Sequence, residues 1–172
     1  IFEPVYRSIL QSAFDDGLKI RMVNPMEIFA AKGNALITRA AARDLYDWCN
    51  MLSEGLFEEQ RDLFRKCFLF YMTISADTLN KSFDTSAIDT LDFNKIRRDL
   101  FPVLNKKDNF QLDERKKIAK NYISDLMVLT SKEKEYLDRF EEKKYMPELL
   151  FEDAEIVERV KNHPMALWKC KE

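Results

Sequence analysis

Leu18 to Val23, "LKIRMV", alternates apolar and charged residues after the turn signal "FDDG" at Phe14 to Gly17. That period of two predicts a half-buried strand. The preceding stretch "PVYRSILQSAF" admits two readings. Val5, Ile9, Ala13 and Phe14 fit one face of a helix, whereas "VYRSIL" would serve as an extended partner of the strand. The period then lengthens. Asn24-Pro25-Met26-Glu27 is a helix start, with Asn as N-cap, Pro in the first turn and Glu three residues beyond the cap. From it Ile28, Ala31, Ala35 and Leu36 are expected to point inward. The helical pattern runs on through Leu45, Trp48, Cys49 and Leu52 and stops near Gly55.

The next segment, "EEQRDLFRKCFLFYMTIS", is apolar almost all round from Phe64 to Ile74. Such a helix belongs at the centre of a core, with Leu63, Cys67, Phe70 and Ile74 buried. A polar connector, "ADTLNKSFDTSAIDT", follows. Asp92 caps a short helix, "FNKIRRDLF", closed by Pro102, and the loop "NKKDNFQ" leads to the helix "LDERKKIAKNYISDLMVL". Thr130 with Glu133 is a capping box for "SKEKEYLDRFEEKKY". Pro147 breaks that helix, "ELLFEDAEIVERVKN" forms another, and His163-Pro164 ends it. The expected fold class is mainly α, a multi-helical domain with a short β segment at the N-terminus, divided into residues 1–24 and 25–172.

Composition narrows the classes. The chain has 172 residues, 46% hydrophobic and 34% charged, with three Gly. This is too apolar for a disordered chain. A net charge of −2 excludes a polycation, and no apolar run approaches the ~18 residues of a membrane span. The opening "IFEPVYRSIL" has neither a basic leader nor an initiator Met. It reads as an entry into the middle of a longer chain, not as a signal peptide. Cys49, Cys67 and Cys170 have no CxxC spacing, which points to a reducing, cytoplasmic setting rather than to disulfides or structural zinc. The only His, His163, sits near a helix end and reads as structural. Charge is uneven: Lys95 to Lys120 carries nine Lys/Arg against four Asp/Glu. Arg97, Arg98, Lys116 and Lys117 are therefore candidate RNA contacts, the alternative being a solvated helix face.

The stretch "KGNALITRAAARDLYD", Lys32 to Asp47, sets five ionic groups among small apolar residues. A continuous helix would bring Lys32, Arg39, Arg43 and Asp47 within an arc of roughly 80°. A solvated face with i,i+4 ion pairs would account for this. Two features point further. The cations precede the acids, the reverse of what suits a helix dipole, and the small residues between them would let a ligand approach. Three convergent cations suit a polyphosphate.

"NPMEIFAAKGNALITRAAARDLYDWCNM" resembles the third and fourth motifs of the AbiEii/AbiGii toxins, nucleotidyltransferase-like toxins of type IV toxin–antitoxin systems. The likeness runs through Lys32, Ala35, Leu36, Arg39, Arg43, Asp44 and Asp47. The tail "PELLFEDAEIVERVKNHPMALWK" is similar to the ending of one branch. The resemblance implies metal-dependent transfer of a nucleotidyl group from an NTP, with Mg²⁺ or Mn²⁺, to an RNA acceptor, tRNA being the class expected, and a cognate antitoxin as partner. It implies that Lys32 neutralises a nucleotide phosphate, with Arg39 and Arg43 as secondary cations. Asp44 or Asp47 would orient a catalytic cation, help a second metal or act as a base. The likeness favours Asp44 as the active group and Asp47 as a helix-locking partner of Arg43.

One part of the family pattern is missing. Such enzymes carry a Gly-Ser motif and an Asp-x-Asp/Glu pair upstream, on the sheet, where the carboxylates hold the metals. The residues before Lys32 contain neither, and Asp15-Asp16 reads as a turn. The chain as given is thus expected to be a C-terminal part, with residues 1–24 a remnant of the nucleotidyltransferase sheet, and inactive alone. The alternative is a non-catalytic helical interaction module or a degenerate remnant.

Overall fold

Val5–Ser8 forms a strand, β1, antiparallel to β2, Lys19–Met22, with Val5 opposite Met22 and Ser8 opposite Lys19. The structure, a computed structural model, describes residues 1–8, 18–75, 79–104 and 110–171. Ile9, Ala13, the turn signal at Phe14 to Gly17 and most of the "NKKDNFQ" loop lie outside the described residues. The extended reading of "VYRS" is thus the right one. The strand is not half buried as expected: Tyr6, Leu18, Ile20 and Val23 are all exposed. Among the described residues no third strand flanks the hairpin, and a two-stranded ribbon has little stability by itself.

The first helix, α1, spans Pro25–Thr38. As the sequence predicts, Asn24 caps it, its Oδ1 accepting from the Met26 N–H at 3.0 Å. Glu27 does not complete a capping box. It turns into the core and accepts from the Phe2 N–H at 3.1 Å and the Tyr71 hydroxyl at 2.8 Å. Burial, reinforced by that carboxylate, pushes the Tyr71 phenol well above its usual pKa. The inward face is Met26, Ala30, Gly33, Leu36 and Ile37; of the four residues expected there only Leu36 is fully buried, and Ile28, Ala31 and Ala35 are partly exposed. The cause is Gly33: a Cβ there would fall on the rings of Trp48 and Phe68. Helix and rings meet at the glycine, and that contact sets the rotation of α1.

The expected continuous helix is two helices. The N–H groups of Arg39 and Ala40 both reach the Ala35 carbonyl, at 2.9 and 3.2 Å. Ala40 adopts φ 48° and α2 starts afresh, Ala42–Ser53. Leu36, Ile37, Ala40, Ala42, Leu45, Trp48 and Cys49 are all buried. A straight helix would spread these positions over roughly 240° of its circumference, too wide an arc for one core. The break turns two successive faces to one core, which offsets the ~1–2 kcal/mol of a left-handed alanine. Helix α2 ends as expected beside Gly55, at φ 62°.

The remaining helices are α3 (Arg61–Ser75), α4 (Ser86–Asp89), α5 (Phe93–Asp99), α6 (Leu112–Leu126), α7 (Ser131–Glu141), α8 (Ala154–Val160) and α9 (Pro164–Lys171). Helix α3 is central, buried on nearly every side, although Leu63 is only half buried. Helices α1, α7 and α9 pack on it, while α2 packs on α1, α5 and α6. Asp92 caps α5 through the Lys95 N–H at 2.8 Å. The Thr130–Glu133 capping box forms in both directions, and the same Glu133, fully buried, accepts from Arg65 Nε at 3.0 Å.

Three stretches differ from the sequence expectation. The polar connector contains α4, held by the buried Ile88. Helix α7 stops at Glu141, and the following helix begins only at Ala154. Asp153 caps it through the N–H groups of Glu155 and Ile156 at 2.8 and 3.3 Å. Pro164 opens a helix, α9, instead of merely ending one.

Candidate active site

The seam between α1 and α2 gathers most of the ionic groups singled out in the sequence. Asp44 and Asp47, three residues apart on α2, share a face by helical geometry. Lys32 Nζ lies 2.6 Å from Asp47 Oδ2, with side chains 33% and 37% exposed. Arg39 donates from Nε and Nη2 to Asp44 Oδ2 at 3.3 and 3.2 Å. Here the arginine is 70% exposed and the carboxylate 7%. Two cations seven residues apart at α1 and its C-cap thus face two carboxylates of α2.

Arg43 does not join this row. Its Nε donates to the Asp99 carbonyl, at the end of α5, at 3.0 Å. Asp47 is consequently the partner of Lys32 and not the helix-locking partner of Arg43. The order of charges also has an ordinary explanation once the helix is broken: Asp44 sits in the first turn of α2, where the helix dipole favours an acid. Among the described residues no three His, Cys, Asp or Glu side chains gather as a metal site. Asp44 and Asp47 are two carboxylates, each paired with a cation, and fall short of such a cluster by themselves.

The candidate RNA contacts fall on two elements. On α5, Arg98 grips Asp99 through two hydrogen bonds of 2.6 and 2.8 Å, and Arg97 is exposed. On α6, Lys116 donates to the Asp89 carbonyl at 3.2 Å, while Lys117 is exposed. A cavity of about 440 Å³ opens elsewhere, between α3 and the start of α7. It sets Arg65, Lys66 and Lys132 against Asp62, Glu133 and Glu152, a balanced set of charges. His163 packs edge-on against Phe70, centroids 5.2 Å apart, and burial lowers its pKa.

Two features of this surface escape the sequence reading. The Asp99 carbonyl that receives Arg43 is a backbone atom and leaves no residue signature. Phe93 and Phe101, exposed and in contact, could have been noticed as apolar residues eight apart flanking two arginines.

The family of nucleotidyl transferase AbiEii toxins, type IV toxin–antitoxin system, matches residues 1–142. The chain belongs to this family. The match runs from the hairpin through α7 and takes in the whole α1–α2 seam; α8, α9 and the branch-like tail lie beyond it. No curated protein and no solved structure matches the chain. As an AbiEii toxin of a type IV system, the protein is a nucleotidyltransferase toxin with an antitoxin as partner. Among the described residues no helix is long and apolar enough to cross a membrane.

Proposed function

We propose that this chain serves a nucleotidyl-transfer site in which Lys32 contacts the phosphates of an NTP, Arg39 and Arg43 add positive potential, and an RNA, tRNA by the family resemblance, accepts the nucleotidyl group. The observation that carries the reading is the α1–α2 seam, a lysine and an arginine held in line by two carboxylates, within an AbiEii toxin. The Lys32–Asp47 pair is about one-third exposed, and such pairs contribute only ~0.2–1 kcal/mol. A triphosphate can replace Asp47 as the partner of Lys32 at little cost. Asp47, the more exposed carboxylate, is then free to act as base toward the acceptor hydroxyl. Asp44 is buried and positions Arg39. In this reading residues 1–24 belong to the nucleotidyltransferase sheet and residues 25–172 to the helical part, and the exposed apolar faces of the hairpin support that division. The free thiols Cys49, Cys67 and Cys170 support a cytoplasmic setting.

The test compares wild type with Lys32→Ala. Titration of the 172-residue chain with a fluorescent NTP analogue should give binding that Lys32→Ala weakens at least about tenfold, as loss of a charge-assisted phosphate contact does. In an active form of the toxin, label transfer from NTP to total tRNA should fall ~10²-fold in the Lys32→Ala variant. Unchanged binding and transfer would leave the seam a structural clasp.

A further inference from the structure

We propose that Phe93, Arg97 and Phe101 form a stacking platform for the unpaired end of an RNA. The proposal rests on the reading above that RNA is the acceptor, and it names the surface that holds it. Phe93 is 61% exposed and Phe101 40%. Their rings touch edge to face, with centroids 5.8 Å apart and planes at 85°. Each fixes the other while ring area stays open to solvent, Phe93 at the start of α5 and Phe101 just past its end, with Ile96 between them anchoring the helix in the core. Val103, just beyond, is also exposed.

The charge around these rings is what selects the occupant. Arg97 is four residues from each phenylalanine and, among the described residues, makes no ion pair. Both carboxylates of the segment are engaged: Asp92 caps α5, and Asp99 is gripped by Arg98. Lys95 donates to the Thr90 carbonyl at 3.0 Å and keeps its charge. Arg43 arrives from α2 through the Asp99 carbonyl, so the platform adjoins the helix that carries Asp44 and Asp47. Bare aromatic faces flanked by unneutralised cations fit a polyanion with π-faces. Every base offers such a face, but in a duplex the faces are already stacked, so the ligand is single-stranded.

The experiment is fluorescence anisotropy of the 172-residue chain with an RNA hairpin bearing a single-stranded 3′ overhang, beside the same hairpin with a blunt end, over a salt series. The overhang RNA should bind more tightly. Phe93→Ala should weaken overhang binding about tenfold, the size of one lost stacking contact, and leave blunt binding unchanged. Phe93→Trp should retain overhang binding. Arg97→Gln should flatten the salt slope by about 0.7, as one lost phosphate contact on a single strand does. Phe93 is exposed, so its variants should melt like wild type. Equal binding of both RNAs, no RNA binding, or wild-type overhang binding by both Phe93→Ala and Phe101→Ala would overturn the proposal. So would a loss of affinity for purified antitoxin with RNA binding intact, which would make the surface a protein interface. NTP binding that still depends on Lys32 would show that the platform alone has failed, and loss of that dependence would remove the reading beneath it.

Discussion

Gly33 fixes how closely α1 meets the rings of Trp48 and Phe68, and no larger residue could. Such a contact is invisible in a sequence, where Gly33 looks like a flaw in a helix. The partner of Glu133 is equally hidden. A capping box is a local pattern, but the buried Arg65 that also binds this carboxylate comes from 68 positions away. His163 is legible as structural because it stands alone, and its burial makes a prediction. Its folded pKa lies below the ordinary 6.5, so the folded chain binds fewer protons than the unfolded chain in the interval between the two values. This contribution to stability is complete above the unfolded pKa and is lost as pH falls through the folded one. Between about pH 7 and pH 5, thermal melts should show wild type losing stability more steeply than His163→Gln. Parallel curves would mean that the ring titrates as if in water.

At the scale of elements, starts and stops made by side chains were readable: Asn24 before Pro25, Asp92 before α5, Thr130 with Glu133, and Gly55 after α2. Ends made by packing were not. The break at Ala40 lies in "TRAAAR", which contains neither Gly nor Pro and has high helix propensity. Tertiary burial on both sides decides it. Helix α7 ends in a similar way but at the surface. The Lys144 N–H reaches back to the Arg139 carbonyl at 2.8 Å, and Lys143 takes φ 65°. This is a helix end that glycine favours. Lys143 is exposed and its side chain donates to the Lys169 carbonyl at 3.0 Å. Lys143→Gly should therefore raise stability by ~0.5–1 kcal/mol, the left-handed strain relieved less the extra entropy of an unfolded glycine. A denaturant titration reads this directly, and a loss of stability would assign the side chain a larger part in holding α9.

For the whole molecule, the break at Ala40 turns one charged stripe into two facing rows, and the row on α2 is acidic. The spacing of Lys32, Arg39, Arg43 and Asp47 implies one helix face, whereas the structure sets Lys32 and Arg39 against Asp47 and Asp44 and sends Arg43 to α5, because partners across a helix–helix interface follow from packing and not from spacing. The resulting Lys32–Asp47 pair can serve as a clasp or as a resting state for a phosphate-binding lysine, and exchanging the two charges separates these roles. In the double variant Lys32→Asp/Asp47→Lys the pair is rebuilt in reverse. An exposed pair couples its partners by only ~0.2–1 kcal/mol, so the double variant should unfold within ~1 kcal/mol of wild type. A clasp would then work as before. A phosphate site would not, because the positive charge has moved from α1 to α2 and an acid stands where the triphosphate oxygens belong. NTP binding should remain at the level of Lys32→Ala despite the restored pair, and nucleotidyl transfer, which also loses the Asp47 base, should be no higher than in Lys32→Ala. Recovery of wild-type transfer by the exchange would show that the seam only joins two helices and that the phosphate-binding cation lies elsewhere in the toxin.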